Sequence, residues 1–175
     1  MYSTVNTDKE ETMKMKFYTL SVMVLLVILL NPASVLAQNN PVQLALFTPV
    51  QIVPEDQPVN GFRFNLIYGR NLSVTGLDLG LINHSTGGLS QGVQFGFVGL
   101  VEEDFTGWQN NSFNITRGRF EGLQWGFYNY ANQMNGIQFG FINYAVNMKG
   151  IQVGLINIIK QNGAFPVFPI VNWSF

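Results

Sequence analysis

GLQWGFYNYANQMNGIQFGFINYAVNMKGIQVGLINI, Gly122 to Ile158, states one eight-residue unit three times. The unit reads Gly, apolar, Gln, apolar, Gly, apolar, apolar, Asn. It recurs as GLDLGLIN from Gly76 and GVQFGFVG from Gly92, and in weaker form as GFRFNLIY from Gly61, GWQNNSFN from Gly107 and FPVFPIVN from Phe165. Successive units end at positions 68, 83, 99, 114, 129, 143, 157 and 172, in steps of 14 to 16 residues. So even a period is the signature of a repeat architecture.

Inside a unit, Ile137, Phe139 and Phe141 alternate with Gly136, Gln138 and Gly140. Period two is strand geometry, and aromatic and β-branched residues suit it. Short segments such as YANQMN and YAVNMK join the units. Each carries one more apolar residue two places before the next Gly: Phe105, Phe120, Met134, Met148. Against an apolar phase running through Ile137 and Phe139, that residue is out of step, which predicts a corner between them. Beyond residue 37 nothing has helical periodicity, so the expected class is all-β.

Two architectures use this pattern. In a β-solenoid each repeat is one coil and like residues stack in columns. In an up-and-down outer-membrane barrel each repeat is one antiparallel strand plus a turn. The solenoid turns Ile137, Phe139 and Phe141 into a dry core; the barrel turns them toward lipid. The even spacing favours the solenoid, because outer-membrane barrels usually alternate short turns with long loops. Position five of the unit is Gly80, Gly96, Gly126, Gly140 or Gly154, with Asn65 and Asn111 elsewhere. Gly and Asn tolerate φ > 0, so this column predicts a repeated kink, or else a close backbone approach. The terminal Asn114, Asn129, Asn143 and Asn157 would form a hydrogen-bonded ladder. Pro166 and Pro169 suit a capping segment, and Pro41 to Val59 a cap at the other end. For the barrel stand the low charge, the expected export and the ending Val171-Asn172-Trp173-Ser174-Phe175. The expectation is an all-β solenoid of about eight coils of 14–16 residues, with an eight-stranded antiparallel outer-membrane β-barrel as the open alternative.

Residues 1–37 read as a secretory signal peptide, with Met13 or Met15 as alternative starts. Lys14 and Lys16 precede an apolar run from Leu20 to Leu30, and small residues lead to Ala37. That run is shorter than the roughly 20 residues needed to span a bilayer. Residues 38–60 form a lead-in and 61–175 the repeat domain. The chain is exported on this reading, to the periplasm, outer membrane or surface of a Gram-negative envelope. Charged residues make up 11% of the sequence, less than half the usual share of about 25%. There is no basic patch for nucleic acid. The absence of Cys excludes a thiol nucleophile or a thiolate metal site.

Gly88-Leu89-Ser90-Gln91-Gly92 spells G-x-S-x-G, the string of a hydrolase nucleophile elbow, but no helix is expected after it. A turn between strands is the reading preferred. The one His, His84, has no second His or any Cys to share a zinc ion, and is read as a solvated loop residue. Glu102-Glu103-Asp104 reads as a charged turn rather than a calcium loop. No catalytic, cofactor-binding or metal-ligating residue is assigned, so no enzyme is expected. The residues singled out are Gln94, Gln109, Gln124, Gln138 and Gln152. In the solenoid they form an outward polar row flanked by aromatic side chains, a candidate face for a glycan, a peptide, an envelope protein or the outer membrane. The simpler reading is a solvating row or an amide ladder.

The unit G-[LIV]-Q-x-G-[LF]-[IVY]-N, at 14- to 16-residue spacing from Phe62 to Phe175, resembles the surface-repeat family of exported bacterial proteins named after a pair of Leptospira proteins and frequent in Bacteroidetes and spirochaetes. The stretches NLIYGRN (Asn65 to Asn71), FTGWQNN (Phe105 to Asn111) and FPVFPIVNWSF (Phe165 to Phe175) share that likeness. The resemblance implies an envelope or surface location and no established activity. Some members are lipoproteins; this chain departs from them in lacking the Cys. Chains of this kind are sometimes labelled polyhydroxyalkanoate synthases, a class whose Cys nucleophile is missing here.

Overall fold

A computed structural model describes residues 40–175; the expected signal peptide lies outside the described residues. The chain forms seven strands, β1 (Val42–Phe47), β2 (Val50–Gln51), β3 (Val59–Asn71), β4 (Val74–Ser85), β5 (Leu89–Val101), β6 (Asp104–Gln161) and β7 (Val167–Ser174). Strands β3, β4 and β5 and the first part of β6 pair in parallel, with Gly61, Gly76, Gly92 and Gly107 in one column. Strand β6 then continues winding: Gly122, Gly136 and Gly150 each lie against the Gly one coil earlier. Parallel neighbours joined by two- or three-residue corners cannot form an up-and-down barrel. The fold is a β-solenoid.

The ends are closed differently. β1 lies parallel to β3 and extends the stack by part of a coil, and β2 folds back antiparallel on β1. At the other end β7 runs antiparallel to the last coil, pairing Gln152 with Asn172 and Gly150 with Ser174. The FPVFPIVN segment is therefore not a further coil, although its spacing matches. It is a reversed strand that caps the stack, and Pro166 and Pro169 fall within that cap.

Burial inverts the expected faces. Gln138 is wholly buried, whereas Phe139 is 43% exposed and Trp125 50% exposed. The inward column runs Met134, Gln138, Asn143, Ala145 in one coil and Phe120, Gln124, Asn129, Ala131 in the coil before. Ile137, Phe139 and Phe141, expected in a dry core, face outward. Met134, inward like Gln138, is out of step with the outward Ile137 and Phe139 as expected, and Gly136 turns the chain between them.

Three corners divide each coil into three walls. The first is the leading Gly, which takes φ between +123° and +150° at Gly61, Gly76, Gly92, Gly107, Gly122, Gly136 and Gly150. A side chain is strained there, and a Cβ on Gly122 would also stand 2.1 Å from the Gly107 carbonyl oxygen. Position five, expected to kink, has no such φ; its Gly is required by space. A Cβ on Gly126 would meet the Asn111 carbonyl oxygen at 2.1 Å and Asn114 Nδ2 at 2.7 Å. The second corner lies between positions six and seven, where two successive residues point outward, as Phe141 and Ile142 do. The third lies between Ala145 and Met148, which both point inward three residues apart.

Candidate functional site

The narrow interior is organised by two amide columns. Gln152 Nε2 donates to Gln138 Oε1 at 2.8 Å, Gln138 to Gln124 at 2.8 Å, Gln124 to Gln109 at 2.9 Å and Gln109 to Gln94 at 3.0 Å. Gln94 Nε2 ends the series on Asp78 Oδ2 at 2.8 Å. The same Nε2 of Gln138 reaches the Tyr144 carbonyl oxygen at 3.2 Å, tying two walls of its own coil across the interior. The Asn column donates the other way: Asn114 to Asn129, Asn129 to Asn143 and Asn143 to Asn157, each at 2.8 Å. Asn129 Nδ2 also donates to the Phe139 carbonyl oxygen at 3.0 Å, beside the corner where the ladder is interrupted. Gln124, Gln138, Asn129 and Asn143 each join a neighbour's amide and a backbone carbonyl at once, as burial of polar groups favours. Gln94 and Gln109 donate only to side chains, and Gln152 Oε1, at the end of its column, has no partner among the described residues.

The predicted outward row is accordingly corrected. Gln94, Gln109, Gln124, Gln138 and Gln152 have at most 1% exposure and present no face to solvent. The reason is local room: beside the position-five Gly, where an added Cβ would already meet backbone, the column admits flat amides, and the interior's rings, Phe105 and Phe120, lie instead beside wall C. Two coils replace Gln by a buried ion pair in the same column. Arg63 Nε and Nη2 donate to Asp78 Oδ1 and Oδ2 at 2.7 and 2.8 Å, and Arg63 Nη1 donates to the His84 carbonyl oxygen at 3.1 Å. The pair is bidentate and fully enclosed.

Outside, wall A carries positions two, four and six. Trp125 and Phe139 lie 5.0 Å apart between ring centroids, and Phe127 and Phe141 stack at 5.0 Å with an 8° interplanar angle. Phe97, Phe113 and Phe127 continue around the ridge at 5.5 and 6.3 Å. From Phe62 to Leu155 these columns contain no Asp, Glu, Lys or Arg among the described residues; Asn110 and Ser112 are their polar members. Wall B carries positions seven and nine, including Ile142, Ile156 and the stacked pair Tyr130 and Tyr144, 5.3 Å apart. Wall C is polar: Asp104, Arg119, Glu121, Gln133, Asn135 and Lys149 flank the inward Phe and Met side chains.

His84 is on a strand, not in a loop. Its Nδ1 lies 2.8 Å from the Tyr68 hydroxyl and its Nε2 3.2 Å from Glu102 Oε1. Glu102 Oε2 in turn accepts from Arg117 Nη1 at 2.7 Å. Burial lowers the His84 pKa from its ordinary value, against the pull of Glu102. A neutral ring with the proton on Nε2 fits both contacts, Tyr68 donating to Nδ1. Burial likewise raises the Tyr68 pKa. This four-residue chain across the coils was missed in sequence because its members come from four successive repeats. The step of 15 to 18 residues between them was the signal available.

Ser90 and His84 take different partners. Ser90 Oγ is buried and accepts from the Val74 amide at 3.2 Å, and Gly88 sits in a turn at φ +67° with a strand after it. The acidic run is a turn between coils: Glu103 Oε2 accepts from the Gly88 amide at 2.6 Å and Asp104 Oδ1 from the Arg119 amide at 2.7 Å. Among the described residues no three His, Asp or Glu side chains gather as a metal cage. Compared with protein-family models, with curated proteins and with solved structures, the chain matches none.

Proposed function

We propose that the chain is an exported, non-catalytic solenoid of the bacterial envelope, working by presenting its outer walls to a partner. One observation carries the reading. The large apolar and aromatic side chains of wall A stand outside in columns broken at Asn110 and Ser112, while the interior behind them is given to amides and Gly, with Phe105, Phe120, Met134 and Met148 enclosed beside wall C. An apolar surface that runs from coil to coil over two adjoining walls exceeds what a free monomer ordinarily shows and marks an interaction face. The leader expected at residues 1–37 and the resemblance to exported surface-repeat proteins support the envelope location. Ser90, the residue a hydrolase would need, has its hydroxyl engaged inside the coil.

The test is fractionation of Gram-negative cells expressing the chain with a C-terminal tag. Recovery in the envelope with a mature N-terminus at Gln38 is the expected result. Retention in the cytoplasm with the leader attached would refute the reading.

A further inference from the structure

Resting on that envelope reading, we propose that the partner of walls A and B is the acyl region of a lipid bilayer, into which the ridge between the two walls inserts. The charge distribution is the first support. On wall A no ionisable side chain stands at an outward position among the described residues. On wall B, Arg70 and His84 stand near the β1 end, and the remaining coils present Val, Leu, Ile, Phe and Tyr. Glu102, Arg117 and Lys160 lie at the far side of wall B, and Arg119, Glu121 and Lys149 on wall C. Around one coil the surface thus passes from apolar wall A, through the Tyr-bearing wall B, to charged wall C. Tyr between apolar and charged zones is the order met at membrane interfaces, where the ring is buried and the hydroxyl stays wet.

Shape is the second support. Walls A and B meet at a convex edge along positions six and seven, and both sides of that edge are apolar. A second copy laid flat on wall A would leave wall B in water. Wall A alone is about 16 Å wide and roughly 35 Å long at ordinary strand spacings, on the order of 550 Å². That falls below the roughly 800 Å² per partner of a standard stable interface. A fluid acyl phase covers both sides of a ridge without shape matching, and partition grows with the apolar area it buries. The backbone raises no objection, since each coil's strand groups pair with the coils before and after it.

Trp125 is the built-in probe. The three Trp residues of the chain are Trp108, Trp125 and Trp173, and residues 1–37 contain none, so fluorescence reports on the solenoid and not on the leader. The experiment uses the full chain carrying Trp108→Phe and Trp173→Phe, mixed with neutral phosphatidylcholine vesicles whose acyl chains are brominated. The expected result is quenching of Trp125. A companion with Phe127→Gln, Phe139→Gln and Phe141→Gln keeps the probe and should bind vesicles about 100-fold less well, since these rings are roughly half-exposed. Arg119→Gln with Lys149→Gln, on wall C, should leave quenching unchanged. Unquenched Trp125, or quenching undiminished in the three-ring variant, overturns the proposal. So does a dimer in sedimentation that the three-ring variant abolishes and vesicles do not dissolve, which would assign the wall to a second copy. Export is not needed for vesicle binding in vitro, so a chain that reaches the envelope but is not quenched refutes only the lipid partner.

Discussion

Replacing Gln124 by Leu should unfold the coil stack more readily than replacing an exposed Phe by Gln, the reverse of the usual rule. Gln124 Nε2 donates to Gln109 Oε1 at 2.9 Å and to the Tyr130 carbonyl oxygen at 3.3 Å, and Gln124 Oε1 accepts from Gln138 at 2.8 Å. Leu has nearly the same volume and makes none of these. Two groups retain a second partner: Gln109 Oε1 still accepts from Thr116 Oγ1 at 3.0 Å, and Gln138 Nε2 still reaches the Tyr144 oxygen at 3.2 Å. The loss is then two ladder bonds at about 1 kcal/mol each, plus a share for the weakened Tyr130 carbonyl and for a branched side chain in a slot shaped for a flat amide. About 2–3 kcal/mol follows. Phe139→Gln removes one half-exposed ring contact with Trp125, about 1 kcal/mol. Urea unfolding followed by circular dichroism reads both. With a slope near 2 kcal/mol/M, Gln124→Leu should lower the midpoint by about 1 M and Phe139→Gln by about half that or less. If Phe139→Gln proved the more damaging, the amides would not be holding the interior and the assigned faces would be wrong.

The ion pair offers a second check: Arg63→Met should cost about 3–5 kcal/mol by stranding the Asp78 carboxylate, whereas Arg63→Gln with Asp78→Gln should recover most of it by continuing the amide column. Gly126→Ala should cost on the order of 3 kcal/mol, because its Cβ would stand 2.1 Å from the Asn111 backbone oxygen, which has no rotamer to move, as well as against the Asn114 side chain. Ile170, 71% exposed at φ +69°, should be improved by about 1 kcal/mol on replacement with Asn, seen as a higher melting temperature. For His84, the folded state depresses the pKa, so the unfolded chain takes up the proton first as pH falls. Stability should therefore be fully present above the ordinary His value near 6.5 and decline as the pH falls below it. His84→Gln should flatten that part of the urea-midpoint profile.

The strand period, the stacking and the caps were legible because each leaves a local mark: alternation, equal steps, Pro near the end. The inside of the coil was not, because alternation defines two faces without saying which is buried. Hydrophobicity then pointed the wrong way. Two marks in the sequence pointed the right way. Met134 and Met148 share the parity of Gln138 and Gln152, so one phase carries through the leading Gly if the amides are inside. Position three is Gln from Gln94 to Gln152, while position four wanders through Leu79, Phe95, Asn110, Trp125, Phe139 and Val153. A column that must mesh with its own copies is held constant; one that meets solvent or lipid varies. The Tyr68–His84–Glu102–Arg117 chain needed the register between coils, and Tyr68 is brought into it by the shift between Asn65 and Tyr68 that adds a residue to β3. The partner of the walls leaves no such mark, since apolar columns are equally suited to burial anywhere.

Because the Gln rungs from Gln94 to Gln152 and the Asn rungs from Asn114 to Asn157 are each bonded to their own kind one coil away, at separations of 14 or 15 residues, that part of the pattern contains no internal count. Copying or excising a whole cassette of that length in the gene would reconnect like with like at both junctions, whereas adding a single residue inside a unit would swap amides for rings. Length is thus a freely heritable trait of this scaffold. Lineages can lengthen or shorten it by recombination alone, with no fresh packing problem to solve.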